Sequence, residues 1–332
     1  MAKRKISFDD ILDMSWSWRV PVLIAKAHDA SVFDVAEGGW KDCAEIAEKL
    51  EADLRVTRLL LLGLCGAGVM EKSGDKFRNT EMTERYLVKS SPDYRGHVLG
   101  LSTRQMKNWL LIPEVLKTGK PIAKPKMGPE EESAWTEVFL LSMKALSERS
   151  VDQLFNILPL EDGMRLLDVG SGPATYLIEF AKRLPHFKGV AFDRPTSDPV
   201  SERFAIEAGV SDRIKFVAGD FTKDTFDGPF DGALLSNIIH IVSADEARDL
   251  ISRVASSICP GGFIAISEMA VGPDDDPGIS SVFAVQMMLG TKTGGVYTRE
   301  EMTGWLESES FVIESVTVLN ERSEVIVGRK KG

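Results

Sequence analysis

Leu166-Leu167-Asp168-Val169-Gly170-Ser171-Gly172-Pro173-Ala174-Thr175 decides the fold class of this chain. Residues 165–169 are a short apolar run with the length of a buried strand, and residues 176–184 continue with helical spacing. Glycines at a strand-to-helix turn let the backbone pass close to a ligand, and in a doubly wound sheet that turn lies at the topological switch point. A nucleotide-like ligand is implied. The dinucleotide fingerprint needs a third glycine where this chain has Pro173 and Ala174, and no Gly-Lys-Ser/Thr follows, which excludes a phosphate loop. Asp168 beside the turn would repel a pyrophosphate but suits an amino group. Asp193, 25 residues further on at the end of the next strand, can accept both hydroxyls of a ribose. Gly219-Asp220-Phe221 ends the third strand with an acceptor for an exocyclic amine beside an aromatic face. The set describes an adenosine that carries a zwitterion and not a phosphate.

Outward from this stretch, apolar runs at 189–192, 214–217, 232–235 and 262–267 alternate with helical segments, which predicts a parallel sheet with helices on both faces. Residues 312–319 and 323–327 predict a closing antiparallel hairpin. Toward the N-terminus, residues 44–50 and 57–67 read as two helices and 69–78 as a hairpin turning at Ser73-Gly74-Asp75, a winged-helix pattern. Residues 40–90 hold nine Lys/Arg and nine Asp/Glu, so this region lacks the electrostatic footprint of a DNA reader. Its second helix is dominated by Leu59, Leu60, Leu61, Leu62 and Leu64, which favours packing or dimerisation. Residues 6–27 read as one or two amphipathic helices interrupted near Pro21. Residues 96–116 and 131–158 read as further helices, and the Lys/Pro/Gly-rich loop over 117–129 as the boundary region.

Composition agrees with an ordinary folded protein. The 332 residues are 43% apolar and 27% charged, and 40 basic against 50 acidic side chains work against binding a phosphate backbone. No nucleic-acid partner is expected. Cys43, Cys65 and Cys259 lie far apart without a histidine cluster, so neither a disulfide framework nor a metal site is expected. Lys3-Arg4-Lys5 leads into no apolar run of the secretory type, and the uncharged stretch 59–70 is too short for a membrane span. A cytoplasmic protein with no membrane association is the expectation.

Asp-x-Gly-x-Gly at 168–172, the strand end at Asp193 and Gly-Asp-Phe at 219–221 together resemble the motifs of class I S-adenosylmethionine-dependent methyltransferases. The order of winged helix, linking helices, these motifs, Ile238-Ile239-His240, Ile266-Ser267-Glu268 and Tyr297-Thr298-Arg299-Glu300-Glu301 is similar to the plant-caffeate and hydroxyindole type of O-methyltransferase, over nearly the whole chain. The resemblance implies an α/β fold: a Rossmann-like seven-stranded sheet with the last strand antiparallel, preceded by a mainly helical winged-helix domain. It implies a dimerisation domain over 1–95, linking helices over 96–160 that contribute to the substrate pocket, and a cofactor domain over 161–332 in a homodimer. The implied cofactor is S-adenosyl-L-methionine, with S-adenosyl-L-homocysteine as product and no metal. Carried over by position, Gly170 would face the methionine part, Asp193 the ribose, and Asp220 with Phe221 the adenine, and Asp168 and Gly172 are further candidates to contact the cofactor. Ser150 matches a serine that reaches the cofactor carboxylate, and Ser236 stands where many members place a lysine.

His240 falls where this family places its general base, and an imidazole suits removal of a hydroxyl proton near neutral pH. Glu268 matches a glutamate that flanks and orients it. Two departures stand out: Ile241 replaces a frequent Asp, and the family's second flanking glutamate, due just after Gly294-Gly295, is replaced around Val296-Tyr297. Methyl transfer to a hydroxyl of a small apolar or aromatic molecule is therefore the first expectation, with N-, S- or C-methylation left open. Met143, Leu146, Met287 and Met288 are the expected acceptor walls, because methionine-rich surfaces adapt to flat apolar ligands. His28, His97 and His186 read as structural or exposed, and 273–277 as an exposed acidic loop. A ligand-sensing winged-helix regulator is the alternative from a different class, and it would need the basic recognition surface that residues 40–90 lack.

Overall fold

The computed structural model describes residues 6–123, 125–272, 278–320 and 323–332. Lys3-Arg4-Lys5 and the acidic segment 273–277 lie outside the described residues. Contacts group the chain into two units, Met1–Met106 and Lys107–Gly332. Among the described residues no helix is long and apolar enough to cross a membrane.

In the first unit the helices Cys43–Lys49 and Leu54–Gly66 are followed by a hairpin, and β1 (Lys41–Asp42), β2 (Met70–Ser73) and β3 (Lys76–Asn79) pair antiparallel in the order β1-β3-β2. Asp53 starts the leucine-rich helix by accepting the Val56 N–H at 2.9 Å. That helix is amphipathic at helical period: Leu61 and Leu64 are fully buried with Phe33, Ile46 and Phe77, whereas Leu59 and Leu62 are exposed. The expected interruption near Pro21 is corrected. The break falls at Ser17-Trp18, between the helices Phe8–Trp16 and Arg19–Asp29. Pro21 is in the first turn of the second helix, where its missing N–H removes no helical hydrogen bond.

In the second unit the long predicted helices each divide: Ile112–Thr118 follows a break at Leu110-Leu111 with Pro113 in its first turn, and Pro129–Ser147 is separate from Val151–Ile157. The sheet consists of β4 (Arg165–Val169), β5 (Lys188–Asp193), β6 (Ile214–Ala218), β7 (Phe230–Ser236), β8 (Ile258–Glu268), β9 (Phe311–Asn320) and β10 (Ser323–Lys330) in the order β6-β5-β4-β7-β8-β10-β9. β4 to β8 are parallel, and β10 runs antiparallel to both β8 and β9.

Strand period two sends neighbouring residues to opposite faces, and both faces are covered. Leu167, Leu235 and Ile266 pack with Leu250, Ile251 and Val254 of the helix Ala244–Ser256. Leu166, Leu234 and Ala265 pack with Leu177, Phe180 and Phe204 from the helices on the other side. Strand order reverses at β4, with β5 on one side and β7 on the other. The carboxyl ends of β4 and β7 therefore border the crevice in which ligands of doubly wound sheets bind.

Candidate active site

Directly after β4 the backbone takes positive φ at Gly170 (71°), Gly172 (51°) and Ala174 (54°) before the helix Thr175–Arg183 begins. A Cβ on Gly170 would lie 2.4 Å from the Ile238 Cδ1, so only glycine lets the turn pass under the segment that follows β7. Gly170 N–H donates to the Phe192 carbonyl at 2.8 Å and Gly172 N–H to Asp193 Oδ2 at 2.7 Å. The other Asp193 oxygen accepts the Arg194 N–H at 2.6 Å and the Ser197 hydroxyl at 3.0 Å. Asp193 thus ties the ends of β4 and β5 together, and with both lone pairs of Oδ1 taken it keeps one on Oδ2 for a ribose hydroxyl.

Two polar atoms at this turn are buried without a hydrogen-bond partner, Asp168 Oδ2 and Thr175 Oγ1. Orphaned buried polar groups of this kind fit a ligand with its own ammonium and carboxylate groups. Thr175 was not singled out from sequence, and nothing in its local pattern marks it. Burial, with the Asp193 charge adding to it, pushes the Asp168 carboxyl up to about 8. The group is then neutral in the folded protein while ionised in the unfolded chain, so its stabilisation is complete below about pH 4 and is lost as pH rises to about 8. The thermal midpoint of the ligand-free protein is expected to fall between about pH 5 and pH 8, and Asp168→Asn to flatten that slope; calorimetric scans across this range read both.

Gly219-Asp220-Phe221 follows β6 and lines a cavity of about 610 Å³ with Arg194, Thr196 and Lys223. Asp220 accepts from the Thr222 hydroxyl (2.6 Å) and N–H (3.1 Å) and from Lys223 Nζ (3.2 Å), which hold its carboxyl below its ordinary value. Phe221 is half-buried against the core. Ser150 Oγ lies 3.0 Å from the Tyr176 hydroxyl and donates to the Ser147 carbonyl at 3.1 Å. Ser236 ends β7 and accepts from Asn237 Nδ2 at 3.2 Å.

After β7 a single helical turn, Ile239–Ile241, carries His240. Its Nδ1 lies 2.8 Å from Glu268 Oε2, while Glu268 Oε1 accepts the Ile239 N–H at 3.0 Å. Both side chains are buried. A ring that donates from Nδ1 to the carboxylate keeps the lone pair of Nε2 free to take a proton. The ring meets Phe283 edge-on, with 4.9 Å between centroids. Phe283 belongs to the helix Ser281–Gly290 that also carries Met287, which is buried, and Met288, half-buried. Phe283 was missed in the sequence, although it is the aromatic residue one helical turn before Met287. Met143 is half-buried and Leu146 exposed on the helix Pro129–Ser147; the residue of that helix that approaches the glycine turn is Leu140, 3.9 Å from a Cβ built on Gly172.

Gly294 serves a close approach. Gly295 N–H donates to the His240 carbonyl at 2.9 Å, and a Cβ on Gly294 would lie 2.5 Å from that same oxygen. Just beyond, the Tyr297 hydroxyl donates to the Val242 carbonyl, and burial pushes the phenol up to about 12. Where a second carboxylate was due, this chain has a protonated phenol bound to backbone.

A family model of the O-methyltransferase domain matches residues 127–312. The chain is 30% identical over 294 residues to a 3-hydroxy-5-methyl-1-naphthoate 3-O-methyltransferase of Streptomyces sahachiroi, covering 87% of this chain and 85% of that protein. The chain belongs to the O-methyltransferase family. Within it, an O-methyltransferase family protein from Burkholderia thailandensis superposes with a TM-score of 0.89 at 25% identity, over 99% of both chains. An N,N-dimethyltransferase, OxyT of Streptomyces rimosus, is 20% identical over 273 residues, 79% of this chain and 78% of that one. The seven-stranded sheet with its antiparallel last strand is thus that of an O-methyltransferase, as the motifs around Asp168 and Asp193 had implied.

Proposed function

We propose that this protein moves a methyl group from S-adenosyl-L-methionine to a hydroxyl of a small aromatic molecule, with His240 as general base. The observation that carries this reading is the buried pair His240–Glu268, 2.8 Å apart, placed just beyond β7 at the switch point of the sheet. When bound, the cofactor supplies a methyl group on a positively charged sulfur and departs as S-adenosyl-L-homocysteine. The residues supply the rest. His240 Nε2 takes the proton of the acceptor hydroxyl, Glu268 holds the ring in the tautomer that can do so, and the edge-on Phe283 limits how the ring can turn. Asp193 is assigned to the ribose, Asp220 and Phe221 to the adenine, and Asp168, Thr175, Gly170 and Gly172 to the amino-acid end, with Ser150 and Ser236 at its margins.

Calorimetric titration with S-adenosyl-L-methionine and S-adenosyl-L-homocysteine, after stripping co-purified ligand, tests the cofactor. Transfer of labelled methyl groups to hydroxylated aromatics then tests the reaction. Failure to bind either compound removes the assignment. Asp193→Ala is expected to weaken cofactor binding about 10- to 100-fold, the size of one or two hydrogen bonds to a charged group, and unchanged affinity would take Asp193 out of the site.

The proposal includes a homodimer formed through a winged-helix unit over 1–95. Its support is the helix Phe8–Trp16, which has no buried residue and exposes Phe8, Ile11, Met14 and Trp16. Sedimentation at micromolar concentration reads the assembly; a monomer there overturns this part. A reducing, cytoplasmic setting is proposed on the three free cysteines Cys43, Cys65 and Cys259.

A further inference from the structure

From Val282 to Leu289 the helix beside His240 is apolar at every position but one, Gln286. Phe283, whose ring meets His240, and Gln286 are three residues apart, which makes them neighbours on one helix face with Cβ atoms about 5 to 6 Å apart. The Gln286 side-chain oxygen accepts a hydrogen bond from the Trp109 indole at 2.7 Å. An indole nitrogen can only donate, so the amide oxygen must face Trp109 and the NH₂ group must turn the other way. That nitrogen makes no hydrogen bond within the described residues, and Gln286 is half-buried. The helix is itself held in place: Ile122 N–H donates to the Leu289 carbonyl at 3.0 Å, and Met287 and Leu289 are buried.

We propose that Gln286, oriented by Trp109, is a specificity-determining donor that recognises a carbonyl oxygen of the acceptor, about one aromatic ring away from the hydroxyl that His240 deprotonates. The inference rests on the methyl-transfer reading above. A neutral amide matches a neutral carbonyl, whereas a carboxylate calls for guanidinium or ammonium, and the helix Ser281–Gly290 carries no charged residue. A donor placed in apolar surroundings also rejects analogues that leave it unpaired, which is how a single polar group sets specificity.

The test uses two probes with the same rings and hydroxyl, 7-hydroxy-1-tetralone and 5,6,7,8-tetrahydro-2-naphthol, titrated into the protein loaded with S-adenosyl-L-homocysteine. The intact protein is expected to bind the ketone about tenfold more tightly. Gln286→Leu should abolish the preference, and Trp109→Phe, which frees the amide to rotate, should reduce it. Unchanged affinity of both variants for S-adenosyl-L-homocysteine shows that they are folded. Equal affinity of the intact protein for the two probes, no measurable affinity for the ketone, or a preference that survives Gln286→Leu overturns the inference. Methyl transfer is measured separately: a protein that discriminates the probes through Gln286 but methylates no hydroxylated aromatic fails the functional reading and keeps the donor.

Discussion

His240→Ala is expected to lower kcat about 10²- to 10⁴-fold on a hydroxylated acceptor while leaving the affinity for S-adenosyl-L-methionine unchanged. The split follows from position. Apart from Ser150 and Ser236 at its margins, the groups assigned to the cofactor follow the ends of β4, β5 and β6, whereas His240 sits on the single turn after β7 and is held by Glu268 at the end of β8. Removing the imidazole takes away the proton acceptor but none of the hydrogen bonds that organise Asp193 or Asp220. A loss of cofactor affinity would instead show that the variant disturbs the fold near Gly170, whose turn packs under Ile238. Phenols need a base as the oxygen attacks, so unchanged turnover on a hydroxylated acceptor would remove His240 from the mechanism.

The glycine turn and Asp193 were legible in the sequence because backbone geometry next to them dictates them, a positive φ at Gly170 and a side chain at the last residue of β5, whereas His240 and Glu268 were expected from the family resemblance. Alternation of strands and helices carried the parallel sheet with both faces covered, but not its strand order. What was not legible depends on neighbours far away in the chain. Phe283 and His240 are 43 positions apart and meet only because helix Ser281–Gly290 lies beside the turn after β7. Trp109 and Gln286 are separated by 177 positions. Thr175 looks like any helix-starting threonine until its hydroxyl is found buried without a partner. Pro21 misled for the opposite reason: a proline inside a helical pattern marks either a break or a first turn, and only the hydrogen bond from Val22 N–H to the Trp18 carbonyl shows which.

Glu268→Gln is expected to cost nearly as much activity as losing His240, about 10²- to 10⁴-fold in kcat, although it changes one atom and keeps the shape. The carboxylate serves two donors with two oxygens: Oε1 takes the Ile239 N–H and Oε2 takes the proton of His240 Nδ1. An amide has one oxygen for both. The Ile239 N–H is buried and can only donate, so leaving it unpaired costs about 1 to 3 kcal/mol, and the amide oxygen will turn toward it. The NH₂ group then faces Nδ1, which must accept, and the ring proton moves to Nε2. Nε2 is the atom that has to receive the acceptor's proton, so the base is disabled by its tautomer and not by its absence. Glu268→Asp tests the same logic from the other side: it retains two acceptor oxygens but withdraws them by one methylene, and should recover part of the lost rate. Cofactor affinity measured by calorimetry should stay the same in both variants. If Glu268→Gln turns over at the rate of the unaltered protein, the pair is structural and His240 is not the base.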